Sequence, residues 1–357
     1  MKRPSFPLIV ASLLIVAGAV LLVATALLGW LMAAVVLPSY LADWLFWSAL
    51  PAGALPVVLV LDLAGPGAGF GLEPVLRRLL WLMPVAAVLM IPVLLWPGSL
   101  FGWASGHGFS TPFGRSWMGH TAVVIRSIVY FAVWMVLALL FVRPPSLDAV
   151  EGRRGLAAAG LFVYLVTATL ASVDWAMTTE PDWFSAEYGL LFIGTQVAIA
   201  ISVALLLAGS AWRRATSEAA GSFLLLAVAV WLFLQFMQFL VIWSADKPSD
   251  ISWYLDRSDA GSRLVAGVIV LIAAVPLALL LAPRGQRHPA AIPALAVLVL
   301  CGQALGMLWL ITPSIRHSFT VSGMDLLSFA GIGGVMLGLC LLTGVSTVPA
   351  EAVSHHG

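Results

Sequence analysis

Ten apolar runs recur along this chain, each about as long as the 20 helical residues that cross a hydrocarbon core. They lie at roughly 8–30, 39–63, 75–96, 118–142, 155–175, 186–210, 219–244, 262–283, 290–313 and 324–345. A single-chain segment inside a bilayer must bond its own backbone groups, so runs of this length and spacing predict α-helices. In a chain of 357 residues they leave connections averaging about a dozen residues, too short for a soluble domain. Composition agrees: 62% of residues are hydrophobic and 9% charged, where a soluble domain carries about 25% charged residues. The expectation is an all-α integral membrane protein, one polytopic unit over residues 1–357 with about ten transmembrane helices.

Charge sets the expected orientation. With the N-terminus on one side, that side's connections hold Lys2, Arg3, Arg77, Arg78, Arg143, Arg153, Arg154, Arg213, Arg214, Arg284 and Arg287. The other side holds Arg115, Lys247, Arg257, Arg263 and Arg316, while Arg126 falls inside a run. The bias of basic residues toward the cytoplasm then predicts that both termini are cytoplasmic. Acids lean the other way: Asp43, Asp174, Glu180, Asp182, Glu187, Asp246, Asp250, Asp256, Asp259 and Asp325 fall on the outer side. Met1-Lys2-Arg3 and Ala24-Thr25-Ala26 imitate a signal peptide, but the apolar run continues to Val36, longer than a signal sequence needs. It is expected to remain as a helix. A net charge of +1 offers no basic surface for nucleic acid.

Several local patterns have plain structural readings. Gly65-Pro66-Gly67-Ala68-Gly69-Phe70-Gly71 imitates a nucleotide loop, yet both flanks are membrane helices and no βαβ unit surrounds it, so a tight inter-helix turn is expected. Residues 97–117, rich in glycine, predict a lid or docking loop, with Trp96, Trp103 and Trp117 as interfacial anchors. Gly302 with Gly306, and Gly334 with Gly338, form small-xxx-small faces for close helix packing. Cys301 and Cys340 stand apart inside apolar runs and read as core residues.

The chemistry-bearing residues are few. Residues 172–188 place Asp174, Glu180, Asp182 and Glu187, with Trp175 and Trp183, between two apolar runs. Carboxylates at such a membrane edge meet water and can exchange protons. Arg126 lies about eight residues, roughly 12 Å, into its run, where an unpaired guanidinium costs at least ~2.5 kcal/mol. It therefore needs a carboxylate, and Asp43 and Asp174 are the candidates on the same side. That pair is either a structural lock or part of a proton relay or ligand contact. Trp231, Gln235 and Gln238 share one helical face, serving either as interhelical glue or as lining for a quinone or proton path. Of six histidines only His120 is near a run, which does not make a bis-histidine haem site, and the cysteines form no iron–sulfur cluster motif.

Three blocks together resemble a known family. Asp174-Trp175-x-Met177-x-x-Glu180-Pro181-x-Trp183-x-Ser185 is similar to the corresponding stretch of the ten-helix, ActF-like membrane component of bacterial alternative complex III, a relative of the NrfD/PsrC-like quinone-interacting membrane proteins. Trp231, Phe236, Gln238, Phe239 and Trp243, followed by Pro248, Asp250, Ile251, Trp253, Tyr254 and Arg257, resemble its aromatic-Gln helix and the loop after it. Val124 to Trp134, with Arg126, Tyr130 and Phe131, resembles a third block; the Tyr40-Leu41 start and the Arg77-Arg78 pair are compatible. Asp246 stands where the resemblance leads one to expect Asn, Ser249 where it leads to an acid, and Gly119-His120-Thr121-Ala122 lacks the Asn-containing start.

The resemblance implies two four-helix bundles, about residues 39–175 and 186–313, with flanking helices at about 8–30 and 324–345. It implies a subunit without redox cofactors of its own, in a bacterial inner-membrane complex that oxidises quinol and reduces a cytochrome c or an oxidase. Haem and iron–sulfur centres are expected only in partners: a sister NrfD-like subunit, an iron–sulfur subunit and a cytochrome c subunit. Contact with quinone by this chain is left open. A proton path is expected in which Asp174 and Glu187 form the outer mouth, Arg126 tunes their charge, Asp43 lies nearby, and Gln235 and Gln238 lead inward. A different class, a secondary transporter, would place an anionic substrate on Arg126 and requires a substrate-sized cavity. An assembly scaffold is a third.

Overall fold

The computed structural model describes residues 6–65, 68–69, 71–106, 112–144, 150–180, 183–208, 217–282 and 290–345. Among the described residues ten helices are long and apolar enough to cross a membrane, and no strand is present. In chain order they are α1 (Phe6–Leu31), α2 (Ala33–Ala64), the broken span α3 (Glu73–Leu95), α4 (His120–Phe141) and α5 (Val150–Trp175). Then follow α6 (Tyr188–Leu207), α7 (Ser217–Ala245), α8 (Ala260–Leu281), α9 (Ala291–Arg316) and α10 (Gly323–Val345). The protein is an all-α integral membrane protein. Asp182, Pro66, Gly67 and Phe70, the Met1-Lys2-Arg3 start, and residues 107–111 of the long loop lie outside the described residues.

Helices α2 to α5 pack in a ring, and α6 to α9 close a second ring. The two meet along α2, which lies against α6 and α9, and along the α5–α6 contact. Helix α1 runs along α10, and both lie against α2. This matches the expected pair of four-helix bundles with two flanking helices. It also makes α2 the central helix: 94% of its most apolar stretch is buried, against 17% for α1. Pro38, Pro51 and Pro56 sit inside α2 without ending it, because neighbouring helices shield the freed carbonyls from lipid. In α3 the interruptions at Leu80–Leu82 and Met90 come just ahead of Pro84 and Pro92, whose rings and missing N–H groups break the helical ladder.

Close packing depends on small residues. A Cβ on Gly53 would fall on the backbone carbonyl of Gln196, so α2 and α6 touch main chain to main chain where the bundles meet. Gly334 and Gly338 pack on Gly18 and Ala11 of α1, as their spacing predicts. Gly302 faces Ile272 of α8 closely, whereas Gly306 faces open space. Gly65, with φ +97°, terminates α2, and the next span starts at Glu73, so the glycine-rich stretch does join two membrane helices. Part of the long loop is packed: Leu100, Phe101 and Trp103 are buried, and Phe101 stacks on Trp103 at 5.4 Å, while Gly98, Ser105 and Gly106 are exposed. Trp103 is thus a core residue, not an interfacial anchor.

Candidate functional site

Ionisable residues gather at the two ends of the bundles. One end, where α2 begins and α5 finishes, carries most acids and is the acidic end; the opposite, arginine end carries Arg77, Arg78, Arg143, Arg153 and Arg154. Across the acidic end runs the segment that follows α5. It leaves the helix at Trp175, makes a 3₁₀ turn at Met177–Thr179, and enters α6 at Tyr188.

This strap is bonded to both bundles. In the first, the Arg126 guanidinium donates to Asp174 through Nε to Oδ2 and Nη2 to Oδ1, both 2.8 Å, and the Tyr130 hydroxyl donates to Oδ2 at 2.9 Å. Arg126 also donates to the Trp117 carbonyl at 2.6 Å and lies 4.4 Å over the Trp117 ring. Trp175 stacks on Phe131 and meets Trp44 and Trp134 edge to face, and its indole N–H donates to Ser127. In the second bundle, Glu180 pairs with Arg257 at 3.3 Å, Trp183 stacks on Trp253 at 5.2 Å, and the Ser185 hydroxyl bonds Gln238. The three segments that carry the family resemblance therefore meet in space.

Asp174, not Asp43, is the partner of Arg126. A bidentate pair with a third donor on the same carboxylate, at a residue 1% exposed, fits a structural lock. The guanidinium is taken up by Asp174 and Trp117, which leaves it poorly placed to hold an anionic substrate. Arg257 is as fully engaged: it donates to the carbonyls of Trp253 and Leu310 and to Ser314, and lies 3.8 Å over the Trp253 ring. Burial pulls its pKa down, and the Glu180 carboxylate opposes the shift.

Glu187 stands half-buried, its backbone N–H on the Ser185 hydroxyl at 3.3 Å. Desolvation raises its carboxyl above the usual range. No hydrogen bond among the described residues joins it to Asp174 or Arg126. Asp43 is buried between α2 and α10, against Ser328. The expected path residues thus fall into separate places: Arg126 and Asp174 in the first bundle, Asp43 at the α2–α10 junction, Gln235 and Gln238 in the second bundle. His120 contacts the Leu94 carbonyl at 2.8 Å and is exposed.

Gln235 and Gln238 border a cavity of about 660 Å³ between α6, α7, α8 and α9 near the acidic end, within the usual size of a small-molecule site. Its wall is mostly aromatic and aliphatic, with Trp183, Trp231, Trp253 and Trp309 in it. Trp231 is tied back by a 2.9 Å bond to Thr195, and Gln238 is tied to Ser185. Gln235 and Gln303 also line the space, and neither carboxamide has a hydrogen-bond partner among the described residues. Gln303 is only 5% exposed, so two amide groups present donors and acceptors to a mostly apolar chamber, whose lining also includes Thr195, Arg257, Ser258 and Arg263. Gly306, where an added Cβ would meet nothing within 4 Å, contributes room. Between α7 and α8 the wall consists of Phe236, Phe239 and Val270, all at least half exposed. Val270 lies ten residues, about 15 Å, into its helix, so part of the cavity wall is made by side chains that are exposed at hydrocarbon depth.

Sequence reasoning missed Gln303 and also the ion network at the arginine end. There Asp62 accepts from Arg77 and, at 2.7 Å, from Arg153, while Arg77 also bonds Glu73 and the Phe141 carbonyl. These contacts tie the ends of α2 to α5 together. The signal was available: Asp62 is an acid in the last turn of an apolar run, opposite two arginine-bearing connections. Arg77, counted for orientation among the basic residues of one side's connections, is 3% exposed. Asp246 adopts a left-handed φ of +48°, a conformation in which Asn and Asp are both enriched. No protein-family model and no curated protein matches the chain, so the resemblance rests on the three motif blocks.

Proposed function

We propose that this chain is a membrane subunit of a quinol:electron-acceptor oxidoreductase complex, carrying no redox centre of its own, and that the cavity of the second bundle receives a quinone head group. The observation that carries this reading is the cavity: walled in part by side chains exposed at hydrocarbon depth, lined by aromatic rings, and furnished with the carboxamides of Gln235 and Gln303, which have no hydrogen-bond partner among the described residues. A neutral ring with carbonyl oxygens suits those two amide donors, and its isoprenoid tail suits a mouth framed by Phe236, Phe239 and Val270. Recognition by shape and a few placed polar groups is the usual economy of such sites. The three motif blocks support the same assignment. In this reading haem and iron–sulfur centres belong to partner subunits, with a sister NrfD-like subunit alongside. The membrane is the bacterial cytoplasmic membrane, with both termini and the arginine end inward.

The test is purification from native membranes in mild detergent, with identification of co-migrating subunits and organic extraction of bound quinone. Haem c and iron–sulfur proteins in the same band, with quinone lost in Gln303→Leu while the band persists, are expected. A solitary protein without quinone overturns the reading. The cavity itself favours a second class, passage of a small solute. Uptake by proteoliposomes containing the chain alone, abolished by Gln303→Leu, would establish that class instead.

A further inference from the structure

At the acidic end, α2, α9 and α10 enclose one arginine and two carboxylates. Asp325 is surrounded by donors: the Ser322 backbone N–H at 2.5 Å, the Ser322 hydroxyl at 3.0 Å and Arg316 Nη2 at 3.1 Å. Arg316 is in turn spent on Asp325, on Ser39 at 2.6 Å and on the Thr320 carbonyl at 3.0 Å. This pair is electrically closed. Asp43, 2% exposed, enters no ion pair among the described residues.

Its contacts are with the Phe329 backbone and the Ser328 hydroxyl, and that hydroxyl also bonds the Met324 carbonyl at 2.8 Å. A serine has one hydroxyl hydrogen. If it goes to Met324, one turn back in α10, the remaining contact joins two oxygens with no hydrogen between them unless Asp43 supplies it. The surroundings require the same: α1 and α6 carry no charged residue, Arg126 of α4 and Asp174 of α5 neutralise each other, and the charges of α3 lie at the arginine end. On α2 itself the neighbouring titratable group is Tyr40, whose hydroxyl donates to the Leu89 carbonyl at 2.7 Å. Arg316 acts on Asp43 together with Asp325, the carboxylate it pairs with, so the two effects oppose each other, and a buried charge with no net counter-charge is disfavoured in a membrane protein.

We infer that Asp43 is a proton-binding site, holding a proton at neutral pH and donating it to Ser328. The inference does not depend on the quinone reading. It separates the acids of the bundle by role: Asp174 is an anchor paired with Arg126, whereas Asp43 is the buried group with a proton to give.

Infrared spectroscopy of the full chain in lipid tests this directly. At neutral pH the wild-type protein should show the carbonyl stretch of a protonated carboxyl, shifted in heavy water. The band should disappear in Asp43→Asn, persist in Asp174→Asn, and move in Ser328→Ala as the acceptor is removed. Absence of the band from wild-type protein, or a band indifferent to both Asp43→Asn and Ser328→Ala, overturns the inference. The wild-type and Ser328→Ala spectra decide the matter even if Asp43→Asn does not fold.

Discussion

Replacing Asp174 by Asn tests the view that the Arg126–Asp174 pair locks the strap to the first bundle. The wild-type carboxylate receives three hydrogen bonds at 2.8 to 2.9 Å, two from one guanidinium. Asparagine preserves the shape but removes the charge, leaving Arg126 with the Trp117 carbonyl and ring. Individual interhelical hydrogen bonds in membranes average only about 0.6 kcal/mol, because the unfolded chain in lipid also finds partners. The stranded charge dominates: a lone arginine at depth costs about 2.5–3.5 kcal/mol, and breaking a buried pair from one side costs about 3–5 kcal/mol. The expected loss is therefore about 3 kcal/mol, two decades in the unfolding equilibrium constant. Removing both charges, as in Arg126→Met with Asp174→Asn, should restore about 2 kcal/mol of it, since nothing is then left uncompensated. Tyr130→Phe should cost about 1 kcal/mol. Unfolding in mixed detergent–SDS micelles, read by tryptophan fluorescence, measures all of these, because Trp175 and Trp134 pack edge to face beside the pair. A double variant no more stable than Asp174→Asn would refute the reasoning.

Gly53→Leu should separate the bundles, since the Gln196 backbone carbonyl has no room to retreat; overpacking of this kind costs about 3 kcal/mol, visible in the same unfolding assay. Gly306→Leu should do the opposite, filling open space: unfolding is unchanged or later, while bound quinone measured after extraction is lost. Asp259 caps α8, accepting from the Ser262 backbone N–H at 3.0 Å and from its hydroxyl, and these bonds hold its carboxyl below the usual range. A depressed folded-state pKa contributes stability above the unfolded-state value of about 3.9 that is lost as pH falls through the folded one. Asp259→Ala should accordingly destabilise at neutral pH and match wild type in strong acid, as measured by pH-dependent unfolding. Asp62→Leu should loosen the arginine end, raising amide exchange at the adjoining ends of α2 to α5, because Arg77 and Arg153 lose their shared carboxylate.

The run lengths and their spacing determined the class of this protein, because a bilayer admits only a narrow range of segment lengths and requires each span to bond its own backbone. The need of Arg126 for a carboxylate was likewise legible, since its depth alone sets the cost of leaving it unpaired. Which acid answered was not legible: Asp43 and Asp174 lie on the same side, and only the ring order of α2, α4 and α5 brings one of them within 2.8 Å. The tertiary structure also decided that α2 is the central helix, though its hydropathy does not exceed that of α1, which lies at the edge. Hydropathy records avoidance of water, which lipid and protein neighbours satisfy equally, so it cannot say which of them a helix face meets. The cavity was hidden for the same reason. Gln303 and Gly306 lie in a run read as a packing face, and a space between four helices exists only when side chains from all four fail to fill it.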